Sequence, residues 1–124
     1  MLKLELKETT GKLPTSIFNV VDEKGNTLSY VQVRHQISDG IGVPNDCASH
    51  IYYEINPSER GRGYGTEALK LALTEARKVG IRPIIVTCNE NNLISKKIIE
   101  SNGGLYEGSC ETKNNERILR YRFE

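Results

Sequence analysis

Seven residues, Arg60-Gly61-Arg62-Gly63-Tyr64-Gly65-Thr66, stand between a strand-like segment and a helical one. His50 to Ile55 reads as a strand, broken by Asn56-Pro57-Ser58-Glu59 because the residue before a proline avoids helical backbone. Beyond the glycines, Leu69, Ala72, Leu73, Ala76 and Val79 recur at helical spacing. They predict a helix over Gly63 to Val79, stopped by Gly80. Glycine lets a backbone approach a ligand closely, and each one costs conformational entropy on folding. The first amide N–H groups of a helix point outward without intrahelical partners and carry partial positive charge. Glycines at a strand-to-helix junction therefore make an anion site, whose natural occupant is a pyrophosphate. Arg60 and Arg62 can add charge-assisted bonds. The plainer alternative is a tight turn, which does not call for three alternating glycines.

The rest of the chain orders itself around that unit. Leu2, Leu4 and Leu6 share a face at a period of two. Thr9 to Pro14 is read as a loop, and Ile17 to Val21 and Leu28 to Gln36 as strands joined through Asp22-Glu23-Lys24-Gly25-Asn26, a hairpin connection. Ser38 to Ala48 is a long loop by its Gly, Pro, Asn and Asp content, and a loop of that length in a small domain is often functional. Ile84 to Cys88 is continuously apolar, as in a strand buried on both faces. Asn92 suits the N-cap of a second helix through Ser101, with Ile94 and Ile98 on one stripe and Gly103 as the stop. Leu105 to Thr112 and Ile118 to Phe123 read as a closing hairpin. The expected fold class is α/β (α+β): one domain over residues 1–124, a mixed, mostly antiparallel sheet around a central parallel strand–helix–strand unit.

Size and charge narrow the function. A chain of 124 residues can bury a real core without metals or disulfides. A net charge of +1 offers no basic excess for nucleic acid, so no nucleic-acid partner is expected. Three cysteines, Cys47, Cys88 and Cys110, without metal-type spacing argue for reduced thiols and a cytoplasmic setting, with no metal. No apolar stretch spans a bilayer, and the alternating start, Met1 to Glu8, lacks the continuous apolar run of a signal peptide, so no membrane is expected.

Three phosphate loops compete for the glycine segment. A P-loop needs a Gly-Lys-Ser/Thr ending, which is absent. The dinucleotide fingerprint fails at Thr66, where a third glycine belongs, and a kinase-type loop fails for the same reason in a chain far too short. What fits is Arg-x-x-Gly-x-Gly at Arg60, Gly63 and Gly65. This segment resembles the acetyl-CoA pyrophosphate loop of the GCN5-related N-acetyltransferase (GNAT) superfamily. A second match, Asn92-Leu93-Ile94-Ser95 running on to Gly103-Gly104, resembles that superfamily's Asn-x-x-Ala/Ser helix and its Gly-ending turn. The resemblance covers roughly His50 to Gly104, and the closing hairpin weakly.

The resemblance implies a GNAT-like acyltransferase fold and acetyl-CoA as cosubstrate. The strands at His50–Ile55 and Ile84–Cys88 would run parallel and splay, with the backbone of Tyr53 and Ile55 bonding the pantetheine arm as an added strand would. Arg60, Gly61, Arg62, Gly63, Tyr64, Gly65 and Thr66 would hold the diphosphate, and Asn92 and Ser95 would flank the arm. Asn92 also fits a plain N-cap, and Ser95 a small packing residue.

Acetyl transfer to an amine needs the ammonium deprotonated, and a lysine-type amine has a pKa of about 10.4. His50 is the favoured base, since several members of the resembled family carry Glu or His there; the alternative for it is a satisfied structural histidine. Glu54 is the rival base, or else it orients His50 or binds the substrate amine. The family's usual tyrosine acid falls at Ile99, which cannot donate a proton, leaving Tyr106 or Tyr121 as replacements. Family members usually carry two helices between the first two strands, and only Thr9 to Pro14 fills that gap here. An open acceptor side follows, completed by a large substrate or a second subunit, so a homodimer is one expectation. The expected activity is N-acetyltransfer to a primary amine on a small molecule or protein. The competing readings are a catalytically weak acyl-CoA-binding module and a doubly wound nucleotide-binding domain.

Overall fold

The computed structural model describes residues 2–9, 14–35, 48–55 and 63–124. The inner residues of the Thr9–Pro14 loop, most of Ser38 to Ala48, and Arg60, Gly61 and Arg62 lie outside those residues.

A two-residue period builds the first half of the chain. In β2 (Thr15–Val21), Ser16, Phe18 and Val20 are buried and Ile17 and Asn19 face the other way. In β3 (Thr27–Arg34), Val31 and Val33 are buried while Tyr30 and Gln32 are half-buried on the opposite face. The turn between them is fixed by Asp22, whose Oδ1 accepts from the N–H groups of Lys24 at 2.9 Å and Asn26 at 2.8 Å. β1 (Lys3–Thr9) pairs antiparallel with β2, from Lys3↔Val21 to Thr9↔Ser16. Leu2 and Leu4 turn to the core as expected, but Leu6 is exposed beside a register shift between Leu6 and Glu8. β4 (Ile51–Ile55) pairs antiparallel with β3 and completes a four-stranded sheet in the order β1-β2-β3-β4.

The second half switches to helical periodicity and back. α1 (Tyr64–Lys78) buries Ala68, Leu69, Ala72, Leu73 and Ala76 against the four-stranded sheet. Small alanines on that face let the helix lie close to the strands. Val79, expected on the same face, is the C-cap and is exposed, because the helix ends at Lys78. β5 (Ile84–Asn89) is buried on both faces at Ile84, Ile85 and Val86. α2 (Leu93–Ser101) carries Ile99 into the core. Its inward stripe runs through Ser95, Ile99 and Asn102, so Ile94, expected on that stripe, sits at its margin, 70% exposed. β6 (Leu105–Glu111) and β7 (Arg117–Phe123) form the closing hairpin, and β7 lies between β5 and β6 in a three-stranded sheet.

One apolar core joins the layers. Val31, Val33 and Ile51 from the first sheet meet Leu69 and Leu73 of α1 and Ile84, Val86, Leu119 and Tyr121 from the second. Each fully buried aliphatic side chain contributes about 1.5–3 kcal/mol relative to exposure. No helix among the described residues is long and apolar enough to cross a membrane. Cys88 is free and buried, as its strand position implied. Cys110 is disulfide-bonded, which corrects the expectation of reduced thiols throughout; Cys47 lies outside the described residues.

Candidate active site

β4 pairs with β3 and β5 with β7, and among the described residues no ladder joins β4 to β5. The two strands touch just before β4 begins. There His50 donates its backbone N–H to the Ile85 carbonyl at 2.8 Å, Ile85 donates its own to Nδ1 of the His50 ring at 2.9 Å, and the Thr87 N–H meets Ser49 Oγ at 3.2 Å. Past this seam the facing edges of β4 and β5 carry no mutual pairing. A main-chain donor or acceptor left on such an edge is a template for an added strand. Both helices start shortly after the C-terminal ends of these strands, where α/β proteins bind ligands.

The two helix starts differ. α2 is capped by its own sequence: Asn92 Oδ1 accepts from the Ser95 N–H at 3.1 Å. α1 has Gly63 at its N-cap, with φ 75° and no side-chain cap. That left-handed conformation is strained for residues with a Cβ, and among the described residues no side chain caps the first-turn N–H groups at Tyr64, Gly65 and Thr66. Beside this helix start is a groove of about 410 Å³ lined by Leu2, Gly63, Thr66, Glu67, Lys70 and Leu71. The Thr66 carbonyl accepts from Asn102 Nδ2 at 3.1 Å, which ties the start of α1 to the end of α2.

Polar side chains from β4 fall on two faces. Tyr53 points inward, half-buried, and its hydroxyl lies 2.7 Å from Ser95 Oγ on α2. Burial raises the Tyr53 pKa above its ordinary value, although the Ser95 bond opposes the shift. The Cys88 thiol lies against the same group, and burial pushes it up as well. On the opposite face Tyr52 stacks at a tilt on Tyr30, with ring centroids 6.1 Å apart, and bonds Tyr30 and the exposed Glu54. Burial, then the Glu54 charge, raises Tyr52. That face continues into an open groove of about 400 Å³ along Tyr30, Gln32, Ile17 and Asn19. No cluster of metal-ligating side chains occurs among the described residues.

A family model for the acetyltransferase (GNAT) domain matches residues 8–104. The chain belongs to the GNAT acetyltransferase family. Solved structures agree on the fold. A candidate phosphinothricin N-acetyltransferase superposes with a TM-score of 0.69 at 22% identity, covering 93% of this chain and 73% of its own. The spermidine N-acetyltransferase from Vibrio cholerae, in complex with CoA and spermine, gives 0.71 at 17%, covering 88% and 64%. AAC(6')-Ib in complex with ribostamycin and coenzyme A gives 0.73 at 16%, covering 88% and 63%. The chain thus spans less than two thirds of the length of the latter two.

Within this GNAT domain the expected cofactor residues Tyr53, Gly63, Tyr64, Gly65, Thr66, Asn92 and Ser95 gather around the C-terminal ends of β4 and β5, with the backbone of Ile55 on the β4 edge. Arg60, Gly61 and Arg62 lie outside the described residues. The catalytic expectations are dispersed. His50 is 8% exposed and its Nδ1 accepts a backbone N–H, so the neutral ring carries its proton on Nε2 and has no free lone pair. Burial, and then the charge of Arg120, lower its pKa. Tyr106 is 54% exposed on β6, two strands away from the β5 edge, edge-on to Tyr121 at 5.7 Å. Tyr121 is sealed in the core and donates to Glu100 at 3.0 Å; burial and that carboxylate push its pKa to about 12. Two functional groups escaped the sequence reading, the Ser49 hydroxyl and the Tyr53 hydroxyl. Strand alternation places Tyr53 on the face opposite His50, Tyr52 and Glu54, and that signal pointed its ring toward α2.

Proposed function

We propose that this domain is an N-acetyltransferase that moves acetyl from acetyl-CoA to a primary amine. The observation that carries the reading is the ladder-free cleft between β4 and β5, with the uncapped start of α1 at its end. An unpaired strand edge suits the amides of a pantetheine arm, and an uncapped helix start suits a diphosphate. In this reading the amides at Tyr64, Gly65 and Thr66, with Arg60, Gly61, Arg62 and Gly63, hold the diphosphate. The backbone of Tyr53 and Ile55 and the side chains of Asn92 and Ser95 line the arm. Bound acetyl-CoA supplies a thioester acyl group and a sulfur leaving group.

The chain supplies the proton chemistry. Glu54 is the exposed carboxylate on the β4 face bordering the cleft, and it takes the proton of an incoming ammonium, with Tyr52 beside it. His50 is the weaker base because its lone pair is engaged. Tyr53 stays protonated at neutral pH and holds a proton at Oη against Ser95, on the α2 stripe where Ile99 has no hydroxyl. Tyr106 is too far from β5 for that role. Among the described residues no helix covers the face carrying Tyr30, Tyr52 and Glu54, and only five residues join β1 to β2. The acceptor, a small molecule or a protein amine, or a second subunit completes the site there. Names attached to the similar structures, spermidine, spermine and ribostamycin, make polyamines the first acceptors to try.

The test is thiol release from acetyl-CoA with a panel of amines. Turnover is expected with at least one amine, and Glu54→Gln is expected to cut kcat by about 100-fold or more while acetyl-CoA affinity holds. Binding without turnover for any amine would favour the second reading, an acyl-CoA-binding module, to which the buried Ile99 and the engaged His50 ring lend support.

A further inference from the structure

We propose that Ser49 and His50 are positioning residues: their side chains clip the two sheets together at the closed end of the cofactor cleft and set its opening. The inference rests on the acetyl-CoA reading only in saying what fills the cleft. Adjacent parallel strands normally bond through evenly spaced backbone pairs. At this seam one such bond exists, from the His50 N–H to the Ile85 carbonyl at 2.8 Å. The next two β5 donors meet side chains instead. The Ile85 N–H ends on the imidazole Nδ1 at 2.9 Å, and the Thr87 N–H ends on Ser49 Oγ at 3.2 Å.

The Ser49 hydroxyl also donates to the Ile51 carbonyl at 2.8 Å, a better partner than the Ile85 carbonyl at 3.4 Å. It is thus inserted between a β5 donor and a β4 acceptor that two ladder strands would join directly. Meanwhile the His50 carbonyl turns the other way and accepts from the Arg34 N–H at 2.6 Å, binding the clip to β3. A side chain's width now separates the strands at the point where pairing would otherwise continue. The divergence of β4 and β5 beyond it follows from this spacing. Both clip residues are enclosed, Ser49 half-buried and His50 buried, so their bonds are not exchanged freely with water. Leaving a buried backbone N–H unpaired costs more than the bond itself contributes.

Two pairs of variants test the clip, each a deletion and a replacement that keeps an acceptor. His50→Ala removes the ring, while His50→Asn keeps an acceptor close to the Nδ1 position. Ser49→Ala removes the hydroxyl, while Ser49→Thr keeps it. The readouts are acetyl-CoA affinity by calorimetry and hydrogen exchange at the Ile85 and Thr87 amides. Each alanine variant is expected to lose about tenfold in affinity and to speed exchange at its own amide, Ile85 for His50 and Thr87 for Ser49. Each replacement is expected to return both readouts to within about threefold of the parent. If His50→Ala does not fold, the Ser49 pair decides alone. Folded alanine variants with unchanged affinity and unchanged exchange would overturn the clip. Failure of the parent protein to bind acetyl-CoA would overturn the functional reading instead, and the exchange rates would still judge the clip.

Discussion

At the scale of single residues, two glycines serve opposite purposes. Gly63 provides a left-handed turn, where an added Cβ would touch none of the described residues and the strain lies in φ. Gly104 is needed for close approach: a Cβ there would stand 2.8 Å from Ile99 Cγ2, 2.9 Å from Phe123 Cζ and 3.1 Å from the Ile99 carbonyl. Gly104→Ala should therefore destabilise the fold by about 1–3 kcal/mol, read as a lower denaturant midpoint at unchanged slope. His50 gives a pH signature. Its Nδ1 accepts from Ile85 only when the ring is neutral, and protonation would set two donors against each other. Burial and the Arg120 charge lower its folded pKa below the 6.5 of the free group. The unfolded chain then binds more protons than the folded one, so stability rises with pH. This contribution is complete above pH 6.5 and is lost as pH falls through the depressed folded value. Unfolding curves should show a midpoint falling below pH 6.5, with that part of the fall absent in His50→Asn.

At the scale of elements, period and punctuation carried most of the information. The alternation in β2 and β3, the Asp22–Asn26 turn, the α1 face and the Asn92 cap were legible because each depends on near neighbours in sequence. Expectations failed where an element ended sooner or rotated. Val79 lies past the last turn of α1, and Ile94 sits off a stripe whose centre, Ile99, is chosen by contact with the core. Periodicity gives a face within one residue, and packing selects the residue. Leu69 is fully buried at the centre of the α1 face. Leu69→Ala should cost about 2–5 kcal/mol, a loss measurable by thermal or denaturant unfolding. The catalytic residues were the least legible. His50 shares the strand face of Tyr52 and Glu54 by alternation, yet its ring is captured by an amide 35 positions away, which no local pattern foretells.

At the scale of the whole molecule, the fold class was readable and the sheet division was not. Strands, a strand–helix–strand unit and a closing hairpin all occur in the expected order. What the order does not state is that β4 and β5 belong to separate antiparallel sheets, joined by the Ser49–His50 seam and a shared core. That division is what opens a cleft lined with backbone groups beside an uncapped helix start. The measurement that bears most directly on this account is a calorimetric titration of acetyl-CoA into the purified chain. Saturable binding at one site per chain, with a Kd between about 1 and 100 μM, is predicted. No saturable heat with about 1 mM acetyl-CoA would contradict it.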